Sequence, residues 1–273
     1  MKVYIQTDIE GVAGFVFFEN MKDASLENHT HRMRMRRLLT GEVNAAVRAA
    51  FDAGADEVLV NDSHGSGYSI MFEDLDPRCE IIHGRNCSGP HWLPELDDSV
   101  DALVLVGMHA MGGTEGAILP HSKWVVNGGE LHLSEATMAC AIAGCHGIPA
   151  VFISGDQHIV GEARGKMPTI GATVVKKALG AYVARSLIPA KARELIHAGV
   201  KEALGRKDTI VPFVVKGPIR LNLLEGEGHI PPFKLVLEKD AEGADIEEAF
   251  LTALRHFPWC KLDVNLPDGF EYP

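Results

Sequence analysis

Acidic and histidine side chains follow each of four short apolar segments in the N-terminal half of the chain. In sequence order they are Asp8 and Glu10, then His64, then His109, then Asp156 and His158. In open parallel sheets, ligands bind beyond the carboxyl ends of the strands. If the four segments are neighbouring parallel strands, their polar ends meet, and the sequence predicts one site there.

The types of these residues favour a metal site. Asp8 and Glu10 are two positions apart, so in an extended segment both side chains project to one face, where two carboxylates repel unless a proton or cation lies between them. His64 and His109 add neutral imidazoles, and Glu135, at the start of a predicted helix, adds a third carboxylate. This mixed set suits Zn²⁺ better than Mn²⁺ or Fe²⁺. Five ligands exceed what one catalytic zinc needs, which favours two metal ions bridged by Asp8.

His121 is the candidate catalytic residue. It lies in a segment with Gly116 and Pro120 that we expect to cover the same sheet edge. There it could act as a general acid or base, or stabilise an oxyanion, although a solvent-exposed loop histidine is the competing interpretation. Asp156 and His158 are weaker candidates for an additional ligand or for a partner of a ligand.

The elements that must position these residues follow from hydrophobic periodicity. Four nearly continuous apolar runs predict buried parallel strands at Val3–Thr7, Glu57–Asn61, Ala102–Gly107 and Ala150–Ser154. Helical spacing between them predicts helices from Leu38 to about Gly54 and from Glu135 to about Cys145, and an Asn-Gly hairpin lies within Trp124–Gly129. The prediction is an α/β fold, a mostly parallel central sheet with flanking helices.

The pattern changes after residue 180, where we predict a smaller C-terminal α+β region. Its expected helices are Pro189–Leu204 and Ala244–His256, and its expected strands are Ile210–Val215, Ile219–Leu224 and Phe233–Leu237. We therefore divide the chain into a metal-binding catalytic domain, 1–180, and a smaller domain, 181–273, with a candidate role in oligomerisation.

Composition excludes several other functions. The chain has 273 residues, and 26 Lys and Arg against 37 Asp and Glu give a net charge of −11, which disfavours a nucleic-acid partner. No apolar run approaches the roughly 18 residues of a membrane span. Five cysteines without a Cys-x-x-Cys pair, and a strand pattern that begins at Met1, predict a cytoplasmic protein. Phosphate-binding loops, nucleophile elbows and His-Glu-x-x-His helices are absent from the sequence.

Five separated segments resemble the zinc-dependent D-aminopeptidases of the DppA type. They are Asp8–Gly11, Val60–His64, Gly107–Ala110, Pro120–Ser122 and Glu135. The resemblance implies that Asp8, Glu10, His64, His109 and Glu135 bind two zinc ions per subunit, with the aspartate shared. It also implies a catalytic role for His121, a smaller second domain, and a decameric ring with active sites facing an internal channel.

The functional hypothesis is a metal-dependent aminopeptidase that hydrolyses short peptides with D-amino-acid N-termini, such as D-Ala peptides. Two zinc ions would lower the pKa of a water to about 7 and polarise the scissile carbonyl, while His121 stabilises the oxyanion or moves a proton. One alternative is a dinuclear amidohydrolase or phosphoesterase, although no arginine stands at the four strand ends to hold a phosphate. The other is a non-catalytic metal-binding assembly protein, which would not need His121.

Overall fold

The computed structural model describes residues 1–17, 23–65, 67–84, 92–227 and 234–254. These residues form eleven strands and five α-helices. The strands are β1 (Lys2–Thr7), β2 (Glu57–Asp62), β3 (Glu80–Ile82), β4 (Ala102–Met108), β5 (Lys123–Val126), β6 (Leu131–Leu133), β7 (Ala150–Asp156), β8 (Gly171–Gly180), β9 (Val183–Ser186), β10 (Ile219–Glu227) and β11 (Lys234–Gly243). The helices are α1 (Leu26–Asp52), α2 (Glu135–Cys145), α3 (Gln157–Lys166), α4 (Pro189–Gly205) and α5 (Ile246–Leu254).

Seven strands form one sheet in the order β3-β2-β1-β4-β7-β8-β9. All neighbours are parallel except β8 and β9, which pair antiparallel. Every residue of β4 and β7 is buried, because helices cover both faces of the sheet. The predicted mixed α/β class with a mostly parallel sheet is confirmed.

The two faces of the sheet have separate hydrophobic cores. Leu39 and Val43 of α1 and Ile196 of α4 pack with Ile5 and Val104 on one face. On the other face α2, α3 and α5 pack together with a four-stranded antiparallel sheet in the order β11-β10-β5-β6. Alternate residues of β1 and β4 enter the two cores, as the period of two in a strand requires.

Several predicted elements need correction. Helix α1 begins at Leu26, well before the predicted start at Leu38. Apolar periodicity does not reveal its first turns, because they are polar and burial begins only at Met35. The segment at Ile210–Val215 is not a strand: it forms no ladder with a described strand, and its Phe213 carbonyl packs closely against Gly144 of α2. Helix α3 and the pair β8 and β9 were not predicted. The predicted residues Phe233, Arg255 and His256 lie outside the described part of the chain.

The antiparallel sheet combines strands from both sides of residue 180. β10 pairs with β5, so the C-terminal strands extend a hairpin that belongs to the N-terminal part of the chain. The division into residues 1–180 and 181–273 stays a prediction. Within the described residues, no helix combines the length and the hydrophobicity that a membrane crossing needs.

Candidate metal and catalytic site

The ends of β1 and β4 approach each other closely at the candidate site. The Asp8 amide donates to the Val106 carbonyl at 2.9 Å, and the Gly11 amide donates to the Gly107 carbonyl at 2.8 Å. A Cβ on Gly11 would lie 2.0 Å from the Met108 carbonyl oxygen, and one on Gly107 would lie 2.1 Å from that of Asp8. Both positions therefore require glycine, which explains why glycine accompanies the polar residues in these two motifs.

Asp8, Glu10 and His64 form the first group of candidate ligands, with one donor atom from each within 4.8 Å of the others. His64 Nε2 lies 3.3 Å from Glu10 Oε1. On the other side of the ring, His64 Nδ1 lies 2.7 Å from Ser69 Oγ, and that hydroxyl donates to the His64 carbonyl. The hydrogen bond between Nδ1 and the Ser69 hydroxyl fixes the orientation of the ring, so that Nε2 faces the carboxylate of Glu10.

His109, His121 and Glu135 form the second group. Glu135 Oε2 lies 3.9 Å from His109 Nε2, and its Oε1 lies 4.0 Å from His121 Nε2. His109 Nε2 is also 3.4 Å from Asp8 Oδ2, so the two groups adjoin. The structure thus brings together all six residues that the sequence singles out as ligands or catalytic.

The two histidines of the second group are stacked, with ring centroids 3.7 Å apart and an interplanar angle of 17°. The Nδ1 of His109 donates to the Ala110 carbonyl at 2.8 Å, and that of His121 donates to the Leu119 carbonyl at 3.0 Å. In the neutral state both rings therefore direct an Nε2 lone pair at Glu135, an arrangement typical of metal-binding histidines.

The loop that carries His121 is held in an unfavourable backbone conformation. Leu119 and Ser122, which flank the Pro120–His121 pair, have φ angles of 48° and 49°. The Ser122 carbonyl accepts from the Gly112 amide at 2.9 Å, which fixes the loop against its own start. Non-glycine residues with positive φ persist where the surroundings enforce them, and they concentrate at functional sites.

Asp156 supports this loop and belongs to neither ligand group among the described residues. Its Oδ1 accepts from the amides of His158 and Ile159 and so caps α3, while its Oδ2 accepts from the Ile118 amide at 3.2 Å. His158 lines a cavity of about 550 Å³ together with His132 and other residues, outside both groups. Asp156 thus connects the end of β7 to the His121 loop.

Glu162 on α3 is a supporting residue that the sequence did not reveal. Its Oε1 accepts from the Ser134 amide at 3.1 Å and from the Thr137 hydroxyl at 2.8 Å. Its Oε2 accepts from the Met111 amide at 3.4 Å, and Met111 forms an isolated parallel β-bridge with His121. One nearly buried carboxylate therefore joins the start of α2, where Glu135 lies, to the loop of His121. Neither a motif nor an apolar period marks Glu162 in the sequence, because α3 is largely polar and contains two glycines.

Lys176 of β8 is a second supporting residue that sequence analysis missed. Its ammonium group is buried and donates to the carbonyls of Glu10 and Phe15, the latter at 2.6 Å. Burial lowers the Lys176 pKa to about 8. The lysine thus holds the turn after β1 from beneath.

The site is electrostatically unbalanced. Burial and the neighbouring Glu10 raise the pKa of Asp8 well above its usual value. Burial opposes ionisation of Glu135, but its attraction to His109, whose Nε2 is 3.9 Å away, outweighs burial and lowers the Glu135 pKa to about 2. Burial lowers the pKa of His109, but the carboxylates of Glu135, Asp8 and Glu10 outweigh burial and raise this pKa to about 10. Burial and the neighbouring His109 lower the pKa of His121. The carboxylates therefore require positive charge among them.

Three buried atoms of the site have no hydrogen-bond partner among the described residues. They are Asp8 Oδ2, Glu10 Oε2 and His109 Nε2. Buried polar atoms are almost always paired, because an unpaired one costs about 1–3 kcal/mol. All three are atoms of the kind that ligate zinc, so the donor set fits divalent metal ions held between the two groups.

Comparisons with known proteins point to one family. A family model described as peptidase M55, D-aminopeptidase, matches residues 1–225. A D-aminopeptidase of Bacillus subtilis (strain 168) is 30% identical over 219 residues, which are 78% of this chain and 77% of that protein. The solved structure of the Zn-dependent D-aminopeptidase DppA from Bacillus subtilis, described as a self-compartmentalizing protease, superimposes with a TM-score of 0.79. It is 23% identical and covers 94% of this chain and 99% of its own, a likeness that shows the fold.

Proposed function

Because this chain belongs to the peptidase M55 family of D-aminopeptidases, we propose that five of its six clustered side chains bind two zinc ions. The sixth, His121, then takes part in releasing D-residues from the N-termini of short peptides. The chain is a metal-dependent aminopeptidase. The number of ions, the identity of the ligands and the preference for D-Ala peptides are our proposal.

The three unpartnered buried atoms carry the proposal for two metal ions. They lie on both groups: Glu10 in the first, His109 in the second, and Asp8 facing His109 across the boundary. Because these atoms belong to both groups, each group offers buried ligand atoms of its own, which supports one ion in each. We therefore assign Asp8, Glu10 and His64 to one ion and His109 and Glu135 to the other, with Asp8 shared.

His121 is the proposed catalytic residue. When bound, zinc lowers the pKa of a water and polarises a carbonyl oxygen. His121 is partly exposed, whereas His109 beneath it is buried, so His121 is the imidazole that a peptide reaches. With Nδ1 occupied by the Leu119 carbonyl, its Nε2 is the atom that exchanges a proton. We assign it to proton transfer to the leaving amine or to stabilisation of the oxyanion.

The proposal is tested by metal analysis coupled to a hydrolysis panel on the purified chain. We expect two zinc ions per chain, cleavage of D-Ala dipeptides, and slower cleavage of the matched L-Ala dipeptides. A chelator should abolish the activity and added zinc should restore it. One zinc per chain would refute the two-ion assignment, and equal cleavage of both enantiomers would refute the D-preference.

We also propose that the chain is a cytoplasmic homo-oligomer. The structural neighbour is described as self-compartmentalizing, and an enclosed site would admit short peptides while excluding folded proteins. The finer proposal is a decameric ring, with a mass ten times the 29.6 kDa of one chain. Mass photometry measures this directly, and a monomer at working concentration would contradict it.

A further inference from the structure

A small second cavity lies beside the His64 loop, at the ends of β2 and β3. Its free volume is about 200 Å³, and its chemically active lining consists of Asp62, Tyr68, Phe72, Glu73 and His83. None of these residues is a ligand proposed for zinc. The cavity is therefore a separate feature that the peptidase chemistry leaves unexplained.

The walls of this cavity are aromatic and unusually exposed. Tyr68 and Phe72 are each 60% exposed. The His83 ring connects them, with centroid distances of 5.4 Å to Tyr68 and 5.5 Å to Phe72. Aromatic faces attract cations through their quadrupole, and several faces around one space are how proteins hold organic ammonium groups.

Asp62 contributes a buried carboxylate to the same cavity. The residue is 3% exposed. Its Oδ2 accepts from the amides of Ser69 and Ile70 at 2.6 and 2.8 Å, whereas its Oδ1 is buried without a hydrogen-bond partner among the described residues. Arg36 attracts this carboxylate electrostatically, but the buried Oδ1 still lacks a donor. Asp62 lines the cavity, so its negative charge would attract a cation bound there.

The segment that forms the cavity is held in place. The Gly84 amide donates to the Gly67 carbonyl at 2.8 Å, and the Met71 amide donates to the Thr40 hydroxyl at 2.9 Å. A Cβ on Gly67 would lie 2.5 Å from the Gly84 carbonyl oxygen, so glycine is required for this closure. The aromatic walls are therefore attached to a fixed frame.

We propose that this cavity is a binding site for a small organic ammonium group. Two carboxylates exclude an anion, and aromatic walls suit an alkylated cation better than a hydrated metal ion. The volume fits a head group of a few heavy atoms. Ser69 contacts both Asp62 and His64, so an occupant would lie one residue from the first ligand group. The ammonium group could come from a free amine or from a peptide N-terminus.

Ligand-observed NMR titration of the zinc-loaded full chain tests the site. Tetramethylammonium and ethylammonium are the probes, and tert-butanol is the neutral control of similar shape. We expect saturable binding of both cations and none of tert-butanol. Phe72→Leu, which keeps apolar volume at an exposed position, should weaken binding about two- to fivefold. Asp62→Asn should weaken it about tenfold or more. Asp74→Asn, which removes an adjacent exposed carboxylate outside the cavity, should bind as the unmodified chain does.

Two further measurements identify the source of the ammonium group, and three outcomes decide against the proposal. If D-alaninamide binds in a Phe72-dependent manner and N-acetyl-D-alaninamide does not, the natural occupant is a peptide amine; Phe72-dependence for ethylammonium alone assigns the site to a free amine. Equal binding of tert-butanol, or equal binding by Phe72→Leu and Asp74→Asn, would overturn the proposal. So would a Phe72→Leu chain that changes oligomeric mass without losing ammonium binding. Because binding is measured directly, these outcomes are independent of whether the peptidase assignment holds.

Discussion

At the scale of single residues, His121 differs from His109, the other histidine of the stacked pair, in being partly exposed. Replacing it with alanine should lower kcat by about 10²- to 10⁴-fold, the usual contribution of a general acid or base. Zinc content should remain at the unmodified value, because the other five residues supply the ligands. His197→Ala is the matched control. His197 lies on α4, pairs with Asp52 of α1 at 2.9 Å, and belongs to neither ligand group. Loss of one zinc per chain would show instead that His121 is a ligand.

The residues of the site divide into those that sequence could predict and those that it could not. Asp8, Glu10, His64 and His109 were predictable because they follow buried strands, and parallel strand ends share an edge. Glu162 and Lys176 were not, because each acts through contacts with residues far away in the sequence. A charged residue in a largely polar helix, or in a strand next to the edge of the sheet, carries no local sign of such a partner.

At the scale of elements, the hydrogen bonds of Glu162 hold the start of α2 against the loop that carries His121. Glu162→Ala should weaken zinc binding about 10- to 100-fold, because residues that support metal ligands have effects of this size. Glu162→Gln keeps one acceptor oxygen for Ser134 and Thr137 and should have a smaller effect. Competition with a chromogenic chelator measures the affinity. Glu202→Ala on α4 is the control, and equal zinc affinity in Glu162→Ala and Glu202→Ala would refute the supporting role.

The elements themselves were predictable where hydrophobic periodicity and burial coincide. Helix α2 lies at Glu135–Cys145 as predicted, with Ser134 accepting from the Thr137 amide as its cap. Apolar periodicity predicts too late a start for helix α1, because its exposed first turns carry no apolar period. The segment at Ile210–Val215 has a strand composition, but it packs across α2, where tertiary contact replaces strand pairing.

At the scale of the whole molecule, the sequence does not predict which strand pairs with the β5–β6 hairpin. The Asn-Gly turn predicted β5 and β6, and apolar alternation predicted β10, but nothing local indicates that β10 pairs with β5 over ninety-odd residues. This pairing brings β10, β11 and α5 onto the face that holds α2. The C-terminal strands therefore help to support the helix that presents Glu135.

The stability of the whole fold should depend on pH through Glu42, a buried carboxyl of α1. Its Oε1 accepts from the Ala13 amide at 2.9 Å, and burial raises its pKa to about 7. Because the folded pKa exceeds the unfolded one, the folded state binds more protons between pH 4.5 and 7, so this group's contribution is greatest below pH 4.5 and is lost as pH rises through 7. Glu42→Gln mimics the protonated form. Its advantage in unfolding free energy over the unmodified chain should grow by about 2–3 kcal/mol between pH 5 and 8.

Urea unfolding at several pH values, at one protein concentration and one zinc activity, measures this difference. Glu194→Gln is the matched control, because Glu194 is exposed on α4 and pairs only with Lys191 at 2.7 Å among the described residues. Its stability curve should run parallel to that of the unmodified chain. If the Glu42→Gln curve also runs parallel, Glu42 is ionised in the folded state at neutral pH. In that case Lys176 and Arg193, the cations that lower its pKa, offset its burial fully.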